Sequence, residues 1–213
     1  MTTIRSGIIV GLLLALAAGA APAQDSEIVI NANVNLTAET GETVTIDRYN
    51  PFLRLVFFGY TQCPDICPLT MYFVAGALKS LGPDAERVRV LFISIDPRRD
   101  TPAVLARYTE AFHPSIIGLS GATAAIDAIT EEFHTTYGYT LMEDGRERPV
   151  DRREYETLTV DTPYVPYHSS QIYILDRNNR LVDIIGYGSD SADIAARIRQ
   201  YLDVGSNVPE TNN

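Results

Sequence analysis

A chain of 213 residues, 46% hydrophobic and 21% charged, is long enough to bury one core without covalent staples. Its formal net charge of −10 leaves too few Lys and Arg to neutralise a phosphate backbone, which excludes a nucleic-acid partner. The acidic balance favours solubility.

The N-terminus reads as an address. Met1 to Arg5 carry one positive charge, Ile8 to Ala18 form an apolar stretch, and Ala21-Pro22-Ala23 fits a small-x-small cleavage site. The stretch is short for a bilayer span, which needs roughly 20 apolar residues. Residues 1–23 are therefore predicted to be a signal peptide, and the protein to be exported to the periplasm. Left uncleaved, the same segment would hold it at the outer face of the inner membrane. Residues 24–204 then form one domain and 205–213 a loose tail.

Within the domain, Ser26 to Ile30 and Glu42 to Ile46 alternate as strands do, with Gly41 between them, and predict an N-terminal β-hairpin. Leu53 to Phe58 is a β-branched and aromatic run of buried-strand length. Met71, Val74, Leu78 and Leu81 keep helical spacing up to Gly82-Pro83. A second buried strand, Val88 to Ile95, precedes a helix capped by Thr101 with Pro102 at its first position. The short apolar piece Ile116 to Leu119 is followed by a helix predicted over Thr123 to Tyr137. Met142 to Asp161 is charged and irregular, an inserted hairpin or loop with Thr157 to Val160 as one candidate strand. Gln171 to Leu175 and Leu181 to Tyr187, joined by Asp176-Arg177-Asn178-Asn179, form an antiparallel hairpin, and a helix over Ser191 to Leu202 closes the domain. This order predicts an α/β fold, a mixed sheet flanked by helices. A Cys-bearing turn after the opening strand and a late hairpin before the last helix make it thioredoxin-like, in a peroxiredoxin-like variant with the added N-terminal hairpin.

The chemistry lies in Thr61-Gln62-Cys63-Pro64-Asp65-Ile66-Cys67-Pro68, which holds both cysteines of the chain. In the first turn of a helix, residues i and i+4 share a face, and a helix N-terminus favours thiolates. An inert disulfide is the bland alternative, but a bridge across so short a loop restrains the unfolded chain little. Of the three histidines, His113 falls at a helix end and His134 on a helix beside Phe133. His168 stands just ahead of the strand Gln171 to Leu175, where a thioredoxin-like sheet faces the Cys turn. Two thiolates and an imidazole suit copper, since thiolates select Cu(I). Zinc, which prefers a fourth protein ligand in a closed site, fits less well.

Phe57-Phe58-Gly59-Tyr60-Thr61-Gln62-Cys63-Pro64-Asp65-Ile66-Cys67-Pro68, then Ile93-Ser94-Ile95-Asp96-Pro97-Arg98-Arg99-Asp100-Thr101-Pro102, then His168-Ser169 before Ile172-Tyr173-Ile174-Leu175-Asp176 together resemble the signature of the Sco/SenC family. The resemblance implies a metallochaperone binding one copper per chain through Cys63, Cys67 and His168, with Asp96 as a supporting residue. It implies as partner the subunit bearing the copper A centre of cytochrome c oxidase, to which copper is delivered or whose cysteines are kept reduced. A second copper chaperone or a thioredoxin-like reductant would act upstream. Gln62 is a poor ligand and is not counted, and the charged insertion Glu143 to Glu156 is longer than the pattern requires. The competing reading is a thiol-disulfide oxidoreductase, or a redox or copper sensor, cycling Cys63 and Cys67. Such chemistry can dispense with His168.

Overall fold

A computed structural model describes residues 27–205; the predicted signal peptide 1–23 and the tail from 206 onward lie outside them. In chain order the elements are β1 (Leu36–Ala38), β2 (Thr43–Val44), β3 (Leu53–Gly59), α1 (Ile66–Leu81), β4 (Val88–Ser94), α2 (Pro102–Glu110), β5 (Ile116–Ser120) and α3 (Thr123–Glu132). There follow β6 (Tyr137–Glu143), β7 (Arg146–Val150), α4 (Arg152–Tyr155), β8 (Tyr164–His168), β9 (Ile172–Leu175), β10 (Leu181–Ile185) and α5 (Ser191–Gly205).

The main sheet has seven strands in the order β10-β9-β3-β4-β5-β1-β2. β3 lies inside the sheet between parallel β4 and antiparallel β9 and is buried along its whole length, which fits an apolar run broken only by Arg54. β3, α1 and β4 form a parallel crossover unit, and the antiparallel β9–β10 hairpin with α5 completes it, α5 lying against α1. This is the thioredoxin-like arrangement that the element order predicts. Thr101 caps α2 by accepting a hydrogen bond from the Val104 N–H, with Pro102 in the first turn.

Charged side chains also lie inside, and one of them sits on the central strand. Arg54 on β3 is fully buried, and its guanidinium donates to Asn50, Asn179 and the carbonyls of Ile46 and Asp176. It ties the segment before β3 to the β9–β10 turn.

Three predicted elements differ. The N-terminal hairpin pairs β1 with β2 across a turn where Gly41 holds φ at +86°, so its first strand is Leu36–Ala38 and not Ser26–Ile30. The alternation at Ile28 to Ile30 reflects a distant partner: Leu181 N–H donates to Ile28 O and Ile30 N–H to Asn179 O, each at 2.9 Å. The helix predicted over Thr123–Tyr137 ends at Glu132, because His134 turns into the left-handed region at φ +47° and Tyr137 opens a strand.

The charged segment does contain a hairpin, β6–β7 turned at Asp144-Gly145, but it starts earlier than predicted and is extended by β8 into a second, three-stranded sheet, β7-β6-β8. Thr157–Val160 is not one of its strands; β7 and β8 take that place. This sheet has its own small core of Tyr139, Tyr155 and Tyr164, in which the rings of Tyr139 and Tyr155 stack at 3.8 Å.

Candidate metal centre

β3 ends at Gly59 and the chain turns through Tyr60 to Asp65 into α1. Cys63 lies in this turn and Cys67 in the first turn of the helix, so the pair does not share a helix face as i and i+4. Convergence is reached differently: the Cys63 sulfur sits over the helix start and accepts the Cys67 N–H at 3.5 Å, the position at which a helix N-terminus stabilises negative charge.

Gly59 makes room for the second sulfur. A Cβ there would stand 2.9 Å from Cys67 Sγ and 2.9 Å from a ring carbon of Phe92. Cys67 is fully buried and Cys63 half-buried, and both are free thiols. The pair shares one proton. A hydrogen bond from the Cys67 thiol pulls Cys63 down to about 4, helped by backbone N–H donors and the nearby His168. The same bond, with burial, pushes Cys67 well above the usual thiol range.

His168 is the last residue of β8, a strand the sequence did not predict. Its Nε2 lies 3.3 Å from Cys67 Sγ, and its Nδ1 lies 2.8 Å from Ser169 O. The carbonyl at Nδ1 orients the ring so that Nε2 is the nitrogen turned to the sulfurs. The ring is held edge-on by Phe57 at 5.8 Å and Tyr60 at 6.1 Å. Ligand atoms of Cys63, Cys67 and His168 all lie within 4.8 Å of one another, the one such cluster among the described residues. Two soft sulfurs and an imidazole nitrogen, partly shielded from water, form a donor set suited to a thiophilic ion.

The other candidates fall outside the cluster. His113 Nδ1 accepts from the Ser115 N–H at 3.1 Å, His134 lies just beyond α3, and Gln62 is exposed. Asp96 is fully buried, but its carboxylate meets Arg99, Tyr164 and Tyr155.

The sequence did not single out Asp100. Its carboxylate accepts from the Thr61 N–H at 3.0 Å, the Thr61 hydroxyl at 2.6 Å and the Ser94 hydroxyl at 2.6 Å, pinning the Cys turn to the end of β4. Burial raises its pKa against the pull of those donors. Tyr60 was also missed. Its phenol is raised first by burial and then by the Cys63 thiolate it faces. Both residues lie in the quoted motifs, but only the fold reveals what they touch.

The chain is similar to several known proteins. The family model described as SCO1/SenC matches residues 22–203. The SCO2-like protein of Rickettsia felis is 31% identical over 163 residues, covering 76% of this chain and 72% of that one. The solved structure of Bradyrhizobium japonicum ScoI with copper bound is 31% identical with a TM-score of 0.66, covering 81% of this chain and 99% of that one. Yeast Sco1 with copper bound is 26% identical with a TM-score of 0.69, covering 85% and 91%. The chain belongs to the SCO1/SenC family.

Proposed function

We propose that this protein is a copper metallochaperone that holds one copper ion through Cys63, Cys67 and His168 and serves assembly of the copper A centre of cytochrome c oxidase. The observation that carries the reading is the meeting of two free thiols and an imidazole nitrogen within 4.8 Å. The copper bound in similar structures at 31% and 26% identity supports it. Copper is cargo here. Cys63 meets it already as a thiolate, whereas Cys67 must give up its proton on binding, so uptake releases a proton. His168 supplies its nitrogen with the ring already oriented.

The receiving partner is the oxidase subunit that bears copper A, with a second copper chaperone or a thioredoxin-like reductant upstream. The protein works outside the cytoplasm after loss of residues 1–23. Among the described residues no helix is long and apolar enough to cross a membrane.

Metal analysis of the reduced protein tests the reading. One copper per chain is expected, and none in the Cys63→Ser/Cys67→Ser double variant. Wild-type copper affinity in that variant would move the site elsewhere.

A second reading rests on the asymmetry of the pair. A thiolate at Cys63 beside a protonated Cys67 is the arrangement for thiol-disulfide exchange, and it needs no imidazole nitrogen.

A further inference from the structure

The two cysteines belong to the main body, at the head of α1, while His168 is carried by the three-stranded sheet. No strand pairing joins that sheet to the seven-stranded one, and its core of Tyr139, Tyr155 and Tyr164 is a cluster apart from the main core. Where the imidazole arrives therefore depends on how the small sheet is fastened.

One fastening is on α3, where Asp127 accepts from the Tyr137 hydroxyl of β6 at 2.7 Å and pairs with Arg152; the other, richer in contacts, is Ile95 to Arg99, just beyond β4. Tyr139 OH donates to Ile95 O at 2.5 Å. Arg98 donates to the carbonyls of Leu158, at 2.5 Å, and Glu156. Arg99 lays its guanidinium over the Tyr164 ring at 3.9 Å and donates to Tyr164 O at 3.3 Å. At the centre is the fully buried Asp96. One carboxylate oxygen pairs with Arg99 Nε at 2.5 Å. The other accepts from Tyr164 OH at 2.6 Å and Tyr155 OH at 3.3 Å. Tyr164 opens β8, the strand that ends in His168.

We propose that Asp96 is a positioning residue that, by gripping Tyr164 and Tyr155, sets where β8 delivers the His168 imidazole to Cys63 and Cys67. It acts through a rigid strand and does not itself touch the donor cluster. A carboxylate suits the task because its two oxygens accept several directional hydrogen bonds at once, and in a buried setting a lost donor cannot be replaced by water. The consequence for copper rests on the function proposed above; the consequence for the imidazole does not.

The test uses Tyr164→Phe, which removes one oxygen and keeps the ring, together with Tyr155→Phe and Asp96→Asn. In the metal-free protein, the NMR resonances of the His168 ring report its place between Phe57 and Tyr60. Tyr164→Phe is expected to shift them and weaken their contacts with both rings, with Tyr155→Phe doing so less. Unchanged His168 resonances in a folded Tyr164→Phe protein would overturn the proposal, whatever happens to copper. Should Asp96→Asn fail to fold, the two phenylalanine variants still decide the matter.

Copper affinity, measured by competition with a Cu(I) chelator, supplies the second arm. Tyr164→Phe is expected to weaken it about tenfold, the range seen when the partner of a ligand is lost. In a His168→Ala background the same change should cost nothing further. Equal losses in both backgrounds would mean that Tyr164 merely stabilises the protein, and would sink the positioning role. A wild-type protein that bound no copper would refute the copper reading and leave the imidazole arm to judge this one.

Discussion

Cys67 Sγ and His168 Nε2 lie 3.3 Å apart although 101 positions separate them in the chain. Cys67 sits at the head of a helix that leaves the central strand; His168 ends the edge strand of a separate small sheet. The contact is made only when both units are folded and docked. The site thus reports on tertiary structure, and the thiol pair and the imidazole can be perturbed one at a time.

The shared proton predicts unequal thiol reactivity. With Cys63 pulled down to about 4 by its bond from Cys67, it is a thiolate across the physiological range, whereas an ordinary cysteine is only about 0.3% thiolate at pH 6. Alkylation of reduced, metal-free protein by iodoacetamide at pH 6 should therefore label Cys63 readily, and the rate should hardly rise between pH 6 and 8. Cys67, buried and held protonated, should stay unlabelled until the protein unfolds. Peptide mapping that found Cys67 labelled first, or a Cys63 rate climbing tenfold per pH unit, would contradict this picture.

Gly59 tests the packing beneath the cysteines. A methyl group there would overlap both Cys67 Sγ and the Phe92 ring, and both neighbours are completely buried, so something must shift. Gly59→Ala is expected to cost about 1–3 kcal/mol of stability, as overpacking does, and to push Cys67 away from His168. Denaturant unfolding and metal titration of the same sample check both effects. An alanine variant with unchanged stability and copper binding would mean that the turn is free to shift.

Asp100 predicts a larger loss. Its removal as Asp100→Ala would strand the Thr61 N–H, the Thr61 hydroxyl and the buried Ser94 hydroxyl. Leaving buried polar groups unpaired costs about 1–3 kcal/mol for each one that water does not reach. Asp100→Ala should therefore lower stability by about 2–4 kcal/mol and loosen the Cys turn, seen as faster amide exchange at Thr61 to Cys63. Asp100→Asn keeps one acceptor and should fall between. An Ala variant as stable as wild type would show that Asp100 does not hold the turn.

The parts of this fold that were legible in the sequence are those whose own residues carry the signal, wherever their partners lie. β3, β4 and the β9–β10 hairpin show as apolar runs bounded by turn residues, although β3 pairs with β9 from the far end of the chain, and the Thr101-Pro102 cap depends only on adjacent residues. Elements whose pattern could be placed only by knowing the partner were missed. Ile28 to Ile30 alternates because it lies beside residues 179–181, so its pattern suggested a hairpin with the wrong partner. The helix ending at Glu132 has no glycine to announce its stop; His134 takes the left-handed turn itself. The hairpin offered as one reading of the charged segment is there as β6–β7, turned at Asp144-Gly145, but Arg146, Glu147 and Arg148 put charge on both faces of β7, so its strands could not be placed. The three ligand types were recognisable from motif and chemistry. Asp100 and the Asp96–Tyr164 pair needed the fold, because nothing in the chain links position 96 with 164 before the strands dock.

The last prediction separates the two proposed chemistries and rests on His168. His168→Ala leaves the Cys63–Cys67 hydrogen bond intact, and that bond is the largest cause of the low Cys63 pKa, with His168 a lesser one. Thiol-disulfide exchange depends on thiolate fraction and access, so the variant should still be oxidised to a disulfide and reduced again, at a rate within a few fold of wild type. Copper should respond differently. The imidazole is the only nitrogen donor in the cluster, so its loss should weaken copper binding strongly and remove the nitrogen signature from the electron paramagnetic resonance spectrum of a Cu(II) form. Cells whose sole copy carries His168→Ala should then fail to mature their oxidase at low copper, although the variant cycles between thiol and disulfide. Full copper affinity in the variant, or oxidase assembly equal to wild type at low copper, would favour the dithiol reading over the chaperone.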